Sequence, residues 1–301
     1  MKILVIGSAN IDITVKVDRF PEKGETIIGK GLAYAFGGKG ANQAITIGKL
    51  GGDIVFLACI GDDVKGHELV QNLKENHVDV SHVKYSEHNP TGTAIINVDR
   101  NGDNTIAVVQ GANLECDKDY ILEKEELFKE CDYVLLQLEI PFDAVEEAIL
   151  LAAKYNKKVI LNPAPASAEL NKEVYKHITY MTPNETEIAI MAGLKECDMM
   201  KSAQVLKDLG VQNILITLGE EGSLLYKDEN KCIKVPAQKV KAIDTVAAGD
   251  CYNGAFIKAL AEGMNEEDAM KYASIASAIA VTRSGAQESI PTEDEVKNFN
   301  G

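Results

Sequence analysis

Short apolar runs recur along the chain at residues 2–7 (KILVIG), 54–61 (IVFLACIG), 133–139 (YVLLQLE), 158–163 (KVILNP), 178–184 (ITYMTPN) and 213–219 (NILITLG). Each has the length of a strand buried on both faces. Between them apolar positions return at helical spacing over residues 41–50, 64–76, 142–155, 199–209, 249–262 and 266–282. Strand alternating with helix predicts an α/β sandwich around a mostly parallel sheet. Ligands of such sheets gather beyond the carboxyl ends of the strands, and most of these runs end in polar or glycine-containing tails. Two stretches have a period of two instead: residues 11–20 through 25–36, and 92–111 with its Asn101-Gly102 turn signal. They predict hairpins that combine into a small β-sheet projecting from the body. The lid segments are then about 11–36 and 91–111 of a single domain covering 1–301. A sheet with one face unsupported serves as a lid and as a pairing surface for a second copy, giving a homodimer.

Composition narrows the class. A hydrophobic fraction of 46% supplies a core and a charged fraction of 26% a solvated surface. The net charge of −15 argues against nucleic acid and anionic membranes as partners, since both repel such a surface. Any anionic ligand must therefore be held by local donors. The six cysteines, Cys59, Cys116, Cys131, Cys197, Cys232 and Cys251, form no C-x-x-C pair and read as buried reduced thiols of a cytoplasmic protein. The first apolar run breaks at Gly7, Asn10 and Asp12, which marks a strand and not a signal peptide. No segment approaches the roughly 20 apolar residues of a membrane span.

Four constellations carry candidate chemistry. In residues 244–256 (DTVAAGDCYNGAF) the small residues Ala247, Ala248 and Gly249 precede Asp250 at a helix start. Small side chains let a phosphate approach, and the first helical turn offers unpaired N–H groups and partial positive charge. Asp250 then either complements the helix dipole or takes the proton of an attacking hydroxyl during phosphoryl transfer. The loop at 35–44 (AFGGKGANQA) matches neither the dinucleotide nor the P-loop pattern. Gly38 permits close backbone approach, while Lys39 and Asn42 offer donors to hydroxyl oxygens. Asn10, Asp12 and Glu139 stand at the same sheet edge and suit a polyol, whose hydroxyls both give and receive; Glu139 alternatively caps the helix beginning near Pro141. In 182–187 (TPNETE), Thr182 or Asn184 reads as a helix N-cap, and Glu187 either lies on that helix face or holds water around magnesium. The turn Thr217, Leu218, Gly219, Glu220, Glu221 and Gly222 is suited to a nucleotide.

With GSANID, LNPAPA, ITLGEEG and AVTRSGAQESIP added in the same order, the chain resembles the ribokinase-type (PfkB-type) carbohydrate and purine kinase family over nearly its full length. The resemblance implies a three-layer sandwich of that family's kind, a β lid that forms a homodimer contact, and transfer of phosphate from ATP to O5 of D-ribose. It further implies Asp250 as general base with an anion hole at Ala247, Ala248 and Gly249, and ribose contacts at Asn10, Asp12, Gly38, Lys39, Asn42 and Glu139. Asn184 and the 217–222 turn match nucleotide positions, Glu187 matches an acid associated with Mg2+, and Asp244, Val246, Ala280, Arg283, Gly285 and Ser289 match a K+ site. The chain departs from the family in having Cys251-Tyr252 where Thr-Phe is common, and Ser274 where His or Asn adjoins the adenine. The rivals are a family kinase acting on a nucleoside, fructose or a keto-deoxy sugar, and a non-catalytic sugar-binding regulator. A dehydrogenase is disfavoured because no dinucleotide fingerprint follows the first strand.

Overall fold

The structure, a computed structural model, describes residues 1–195 and 198–299. The chain opens with β1 (Lys2–Ile6), β2 (Asn10–Lys16) and β3 (Gly31–Gly37), then α1 (Lys39–Lys49), β4 (Asp53–Gly61), α2 (Val64–Glu75) and β5 (Val83–Ser86). It continues through β6 (Gly92–Val98), β7 (Asn104–Val109), α3 (Lys118–Glu123), α4 (Glu125–Glu130), β8 (Tyr133–Leu136), α5 (Phe142–Lys154), β9 (Lys158–Leu161), β10 (Tyr180–Met181) and α6 (Glu185–Ala192). The last elements are α7 (Met199–Asp208), β11 (Ile214–Thr217), β12 (Ser223–Asp228), β13 (Lys231–Val235), α8 (Ala248–Ala261), α9 (Glu266–Val281) and α10 (Glu293–Lys297).

The larger sheet has the order β13-β12-β11-β10-β9-β8-β1-β4-β5, parallel from β5 to β11, with β12 and β13 antiparallel at one edge. Its strands are buried on both faces because their alternation feeds two cores. Ile3 and Val5 of β1 join Ile54, Phe56 and Ala58 of β4 beneath α1, α2, α8 and α9. Leu4, Ile6, Val55 and Leu57 face the other way, beneath α3 to α7. The predicted parallel α/β sandwich is therefore present as three layers. Because β4 and β8 flank β1, the strand order reverses at β1, and open α/β sheets leave a crevice at such a point.

The two predicted hairpins form a separate four-stranded sheet, β3-β2-β6-β7, joined by a parallel seam in which Asn10 pairs with Gly92. All six residues of β7 are exposed, Ile106 and Val108 among them, and Leu32 and Tyr34 of β3 and Ile95 of β6 also stay in solvent. Cys59, Cys116, Cys131 and Cys251 are buried free thiols, but Cys232 is exposed because it lies on edge strand β13; Cys197 is outside the described residues. Among the described residues no helix is long and apolar enough to cross a membrane.

Helices α1 and α8 touch backbone to backbone. A methyl group placed on Gly254 would stand 2.6 Å from Thr46 Cβ and 2.8 Å from the Gln43 carbonyl oxygen. Neither neighbour is a flexible chain end, so the helices must part. Gly254→Ala should destabilise the fold by about 1–3 kcal/mol, read from a urea melt, as overpacking of a close-packed interior does.

Candidate active site

The site lies beyond the carboxyl ends of β1, β8, β9, β10 and β11. Asp250, in the first turn of α8, is only 7% exposed. Its carboxylate is gripped on both oxygens: Asn42 Nδ2 donates to Oδ2 at 2.9 Å and Gln43 Nε2 to Oδ1 at 2.9 Å. An acid that merely complemented a helix dipole would have no need of buried amides from another helix. Asn42 accepts in turn from Gln287 Nε2 at 3.1 Å, and Gln287 accepts from Asn72 Nδ2 at 2.7 Å.

The approach to α8 is bent by Ala247, held left-handed at φ 58. Such a backbone persists only where neighbours over-determine it, and they do. The Asp244 carboxylate accepts the Val246 amide at 3.0 Å and the Gly285 amide at 3.1 Å, while Val281 O accepts from Ile243 N at 2.7 Å. The Ala248 amide, expected in the anion hole, donates to Thr245 O at 3.2 Å, because the left-handed residue closes a turn there. The Gly249 and Asp250 amides remain as first-turn donors with no helical carbonyl before them. A methyl group on Gly249 would meet nothing within 4 Å, so that turn is open to an anion.

This open turn faces a cleft of 370 Å³ whose lining includes Asn184, Thr186, Thr217, Gly219, Gly222, Ala248, Gly249, Tyr252 and Ser277. The predicted nucleotide positions Asn184, Thr217, Gly219, Gly222 and Gly249 thus meet in one place, with Leu218 buried behind them and Glu220 and Glu221 exposed on the turn. Asn184 is the N-cap of α6, accepting from the Thr186 and Glu187 amides at 2.9 and 2.8 Å, which leaves Thr182 buried one strand end earlier. Ser274 stands apart: it is buried and its hydroxyl donates to Pro236 O at 3.4 Å. Ser277, almost one turn later, reaches the cleft and donates to Ala248 O at 3.0 Å.

On the other side of Asp250 lie the predicted polyol contacts. Gly38 adopts φ 87 before α1, and a side chain there would strike the Ala9 and Asn10 backbone at 2.8 Å. Glu139 does not cap α5, whose N-cap is Pro141 without a side-chain bond; it accepts from the Ser8 hydroxyl and, at 3.1 Å, from the Lys39 amide. Asn10 is buried and accepts from Asn113 Nδ2 at 2.8 Å. The Lys39 ammonium is half-buried among Asp250, Glu139, Glu187 and Asp12; burial alone would lower its pKa, but these carboxylates outweigh it and hold the charge above the usual lysine range. Burial pushes the Asp12 carboxyl up to about 6, with Glu139, Asp250 and Glu288 adding repulsion and Lys39 opposing. Glu187 is also raised, chiefly by burial, although the Asn184 amide and Lys39 favour its ionised form.

Among the described residues no group of three His, Cys, Asp or Glu side chains could hold a metal ion. A magnesium ion carried by phosphates and water needs only one or two carboxylates, which Glu187 fits. At the proposed K+ positions the Arg283 guanidinium pairs with Glu295 at 2.6 Å, and the Ser289 hydroxyl donates to Ala286 O at 2.8 Å. What Asp244, Val246, Ala280, Gly285 and their neighbours can still offer is mostly backbone carbonyl oxygen, a donor set suited to a large monovalent cation. Sequence reading missed Gln43, Gln137, Asn162 and Gln287 as site residues. The available signal was a polar residue inside or just after an otherwise apolar strand, as in YVLLQLE and KVILNP.

A buried carboxylate at a helix amino end, with a polar pocket on one side and a glycine-lined cleft on the other, defines a phosphotransferase acting on an alcohol. A model of the pfkB family of carbohydrate kinases matches residues 1–293, and the chain belongs to that family. It is 38% identical to the ribokinase of Haemophilus influenzae over 299 residues, covering 98% of this chain and 97% of that protein. The crystal structure of ribokinase from Thermotoga maritima is similar at a TM-score of 0.91 with 41% identity, covering 98% of both chains. That of the Arabidopsis thaliana ribokinase complexed with ribose and ATP is similar at 0.92 with 31% identity, covering 99% of both. The three-layer fold with its small second sheet is thus borne out.

The Asp12 carboxyl makes stability depend on pH. Below about pH 3 it is protonated folded and unfolded alike and costs nothing; as pH rises through the unfolded value of 3.8 toward 6 the unfolded chain releases its proton first, so stability is lost. Asp12→Asn should be more stable than the parent at pH 7 by about 1–2 kcal/mol and indistinguishable at about pH 3, measured by urea melts at both pH values.

Proposed function

We propose that the chain is an ATP-dependent kinase that phosphorylates D-ribose at O5, giving D-ribose 5-phosphate and ADP. One observation carries this reading: the Asp250 carboxylate, held by two amides, sits where the polyol pocket and the nucleotide cleft meet. The similarity to a ribokinase structure holding ribose and ATP supports the same pair of substrates. Asp250 accepts the hydroxyl proton as that oxygen attacks the γ-phosphorus, and the Gly249 and Asp250 amides stabilise charge developing on the transferred group. Asn10, Asp12, Gly38, Lys39, Asn42 and Glu139 bind and orient the sugar. Asn184, the 217–222 turn and Ser277 bind the nucleotide. Mg2+ beside Glu187 would neutralise the triphosphate, and K+ among Asp244, Val246, Ala280, Arg283, Gly285 and Ser289 would add positive charge at the amino end of α8. Closure of the small sheet excludes water, so that phosphate goes to sugar. The single domain 1–301 carries that sheet as lid segments about 11–36 and 91–111, and its apolar outer face pairs with a second copy in a homodimer. We place the enzyme in the cytoplasm, where ATP is made available.

Asp250→Asn should keep ribose and ATP binding by calorimetry while turnover falls by about 10²–10⁴-fold; near-normal turnover would refute the base. Lys39→Ala should raise KM for the sugar more than it lowers kcat. Initial rates across ribose, 2-deoxyribose, fructose and nucleosides, with and without K+, should be highest for ribose with K+; a nucleoside leading the panel overturns the substrate. Leu32→Lys with Ile95→Lys, exposed on the sheet face opposite Asp12, should turn a dimer into a monomer in sedimentation, leaving the larger fold intact by circular dichroism.

A further inference from the structure

Behind Asp250 lies a second set of amides that neither the sugar nor the nucleotide reading uses. Gln43 and Gln137 are fully buried and Asn162 nearly so. The orientation of the set follows from one fixed acceptor. Thr182 O receives Asn162 Nδ2 at 3.1 Å, so Asn162 Oδ1 must accept, and it does so from Gln43 Nε2 at 3.0 Å. The same Gln43 nitrogen therefore faces Asp250 Oδ1 at 2.9 Å, with both of its hydrogens spent. Gln43 Oε1 is left as an acceptor, and Gln137 Nε2 fills it at 2.6 Å. That last bond has a cost. Gln137 Oε1 is buried without a hydrogen-bond partner, so the bond to Gln43 is kept at the expense of an unpaired acceptor. A side chain kept for packing alone has no reason to carry an orphaned acceptor.

We infer that Gln43 is a positioning residue for Asp250, and that Gln137 locks the Gln43 amide in the orientation that donates. This rests on Asp250 being the base proposed above. Asn42, on the other carboxylate oxygen, belongs to the proposed sugar pocket as well; Gln43 is fully buried and does not line the nucleotide cleft. Its loss therefore acts on the chemical step, because the carboxylate is free to swing about its remaining bond. Misplacement of a reacting group by about 1 Å costs roughly 10²-fold.

The experiment uses the full chain and measures kcat and KM for D-ribose and for MgATP in Gln43→Leu, Gln137→Leu, the double variant and Asp250→Asn, with thermal melts of each. Gln43→Leu should lower kcat by about 10–100-fold while both KM values stay within about threefold. Gln137→Leu exchanges one orphaned acceptor for another, so its melting temperature should stay near the parent's while kcat falls by about 3–10-fold. The double variant should be no slower than Gln43→Leu by more than about twofold, since Gln137 works only through Gln43. A purely structural role would give additive losses that track the melts. If Gln43→Leu does not fold, Gln137→Leu decides: reduced kcat at unchanged KM supports the inference and unchanged kcat overturns it. A Gln43→Leu enzyme with kcat within about twofold of the parent, or with only its KM changed, overturns it too. Full turnover in Asp250→Asn sinks the base itself, whereas an inactive Asp250→Asn beside an unimpaired Gln43→Leu overturns only the role of Gln43.

Discussion

The seam between α1 and α8 is the constraint on which the site depends. Gly254 lets the two helices meet at backbone distance, and that closeness lets Asn42 and Gln43, consecutive residues of α1, reach the two oxygens of one carboxylate on α8. Consecutive helical residues point about 100° apart, so they converge on one group only if it is wedged against the helix. The position of α8 is set at its other end too. Lys258 is fully buried, pairing with Glu262 at 2.9 Å and with Glu293 of α10 at 3.0 Å, and its ammonium lies 5.0 Å from the Tyr272 ring of α9. A buried ammonium released from its carboxylates would be strongly destabilising, so this end of α8 has little freedom to slide.

Electrostatics explains how so acidic a chain can host a triphosphate. The net charge of −15 repels anions at long range, and the pocket adds Asp12, Glu139, Glu187 and Asp250 around one lysine. Attraction must be local. It comes from the open first turn of α8 and from the Lys39 ammonium, held charged by its neighbours. The raised carboxyls of Asp12 and Glu187 mark first the cost of burying a charge and then that of crowding like charges together. A sugar hydroxyl donating to Asp12, or a cation beside Glu187, would offset that cost, so the site favours ligands that bring protons or positive charge.

Much of the fold was legible because its signals are long or strictly periodic. The six core strands, the six long helices and both hairpins are found within a few residues of their predicted limits, although the 178–184 run shortens to Tyr180–Met181 before Pro183. Helices α3, α4 and α10, of five or six residues, are too short to display a period, and β12 and β13 were masked by their charged edge positions. In the site, glycine loops and strand-end acids were legible because their residue types imply chemistry directly. Gln43, Gln137 and Asn162 were not, because an amide announces no role until its partners are known. Likewise no local pattern distinguishes Ser277 from Ser274; which serine of α9 reaches the cleft is decided by how that helix is rotated against α8.

A single carboxylate can serve both halves of the site only because of where the helix end lies. The polyol pocket is built from β1, β2, α1 and the end of β8, and the nucleotide cleft from α6, the turn after β11 and α9, so the two share almost no elements. They share the amino end of α8. In-line transfer requires attacking oxygen, phosphorus and leaving oxygen along one axis, and on the reading proposed above a helix tip projecting between two separately built pockets supplies the charge stabilisation and the base at the midpoint of such an axis. Both amides that hold Asp250 come from α1, and Asn162 at the end of β9 accepts from one of them, so none comes from the cleft. On the reading proposed above, Asp250 is thereby set before the nucleotide arrives, and binding energy from ATP is left for the phosphoryl group itself.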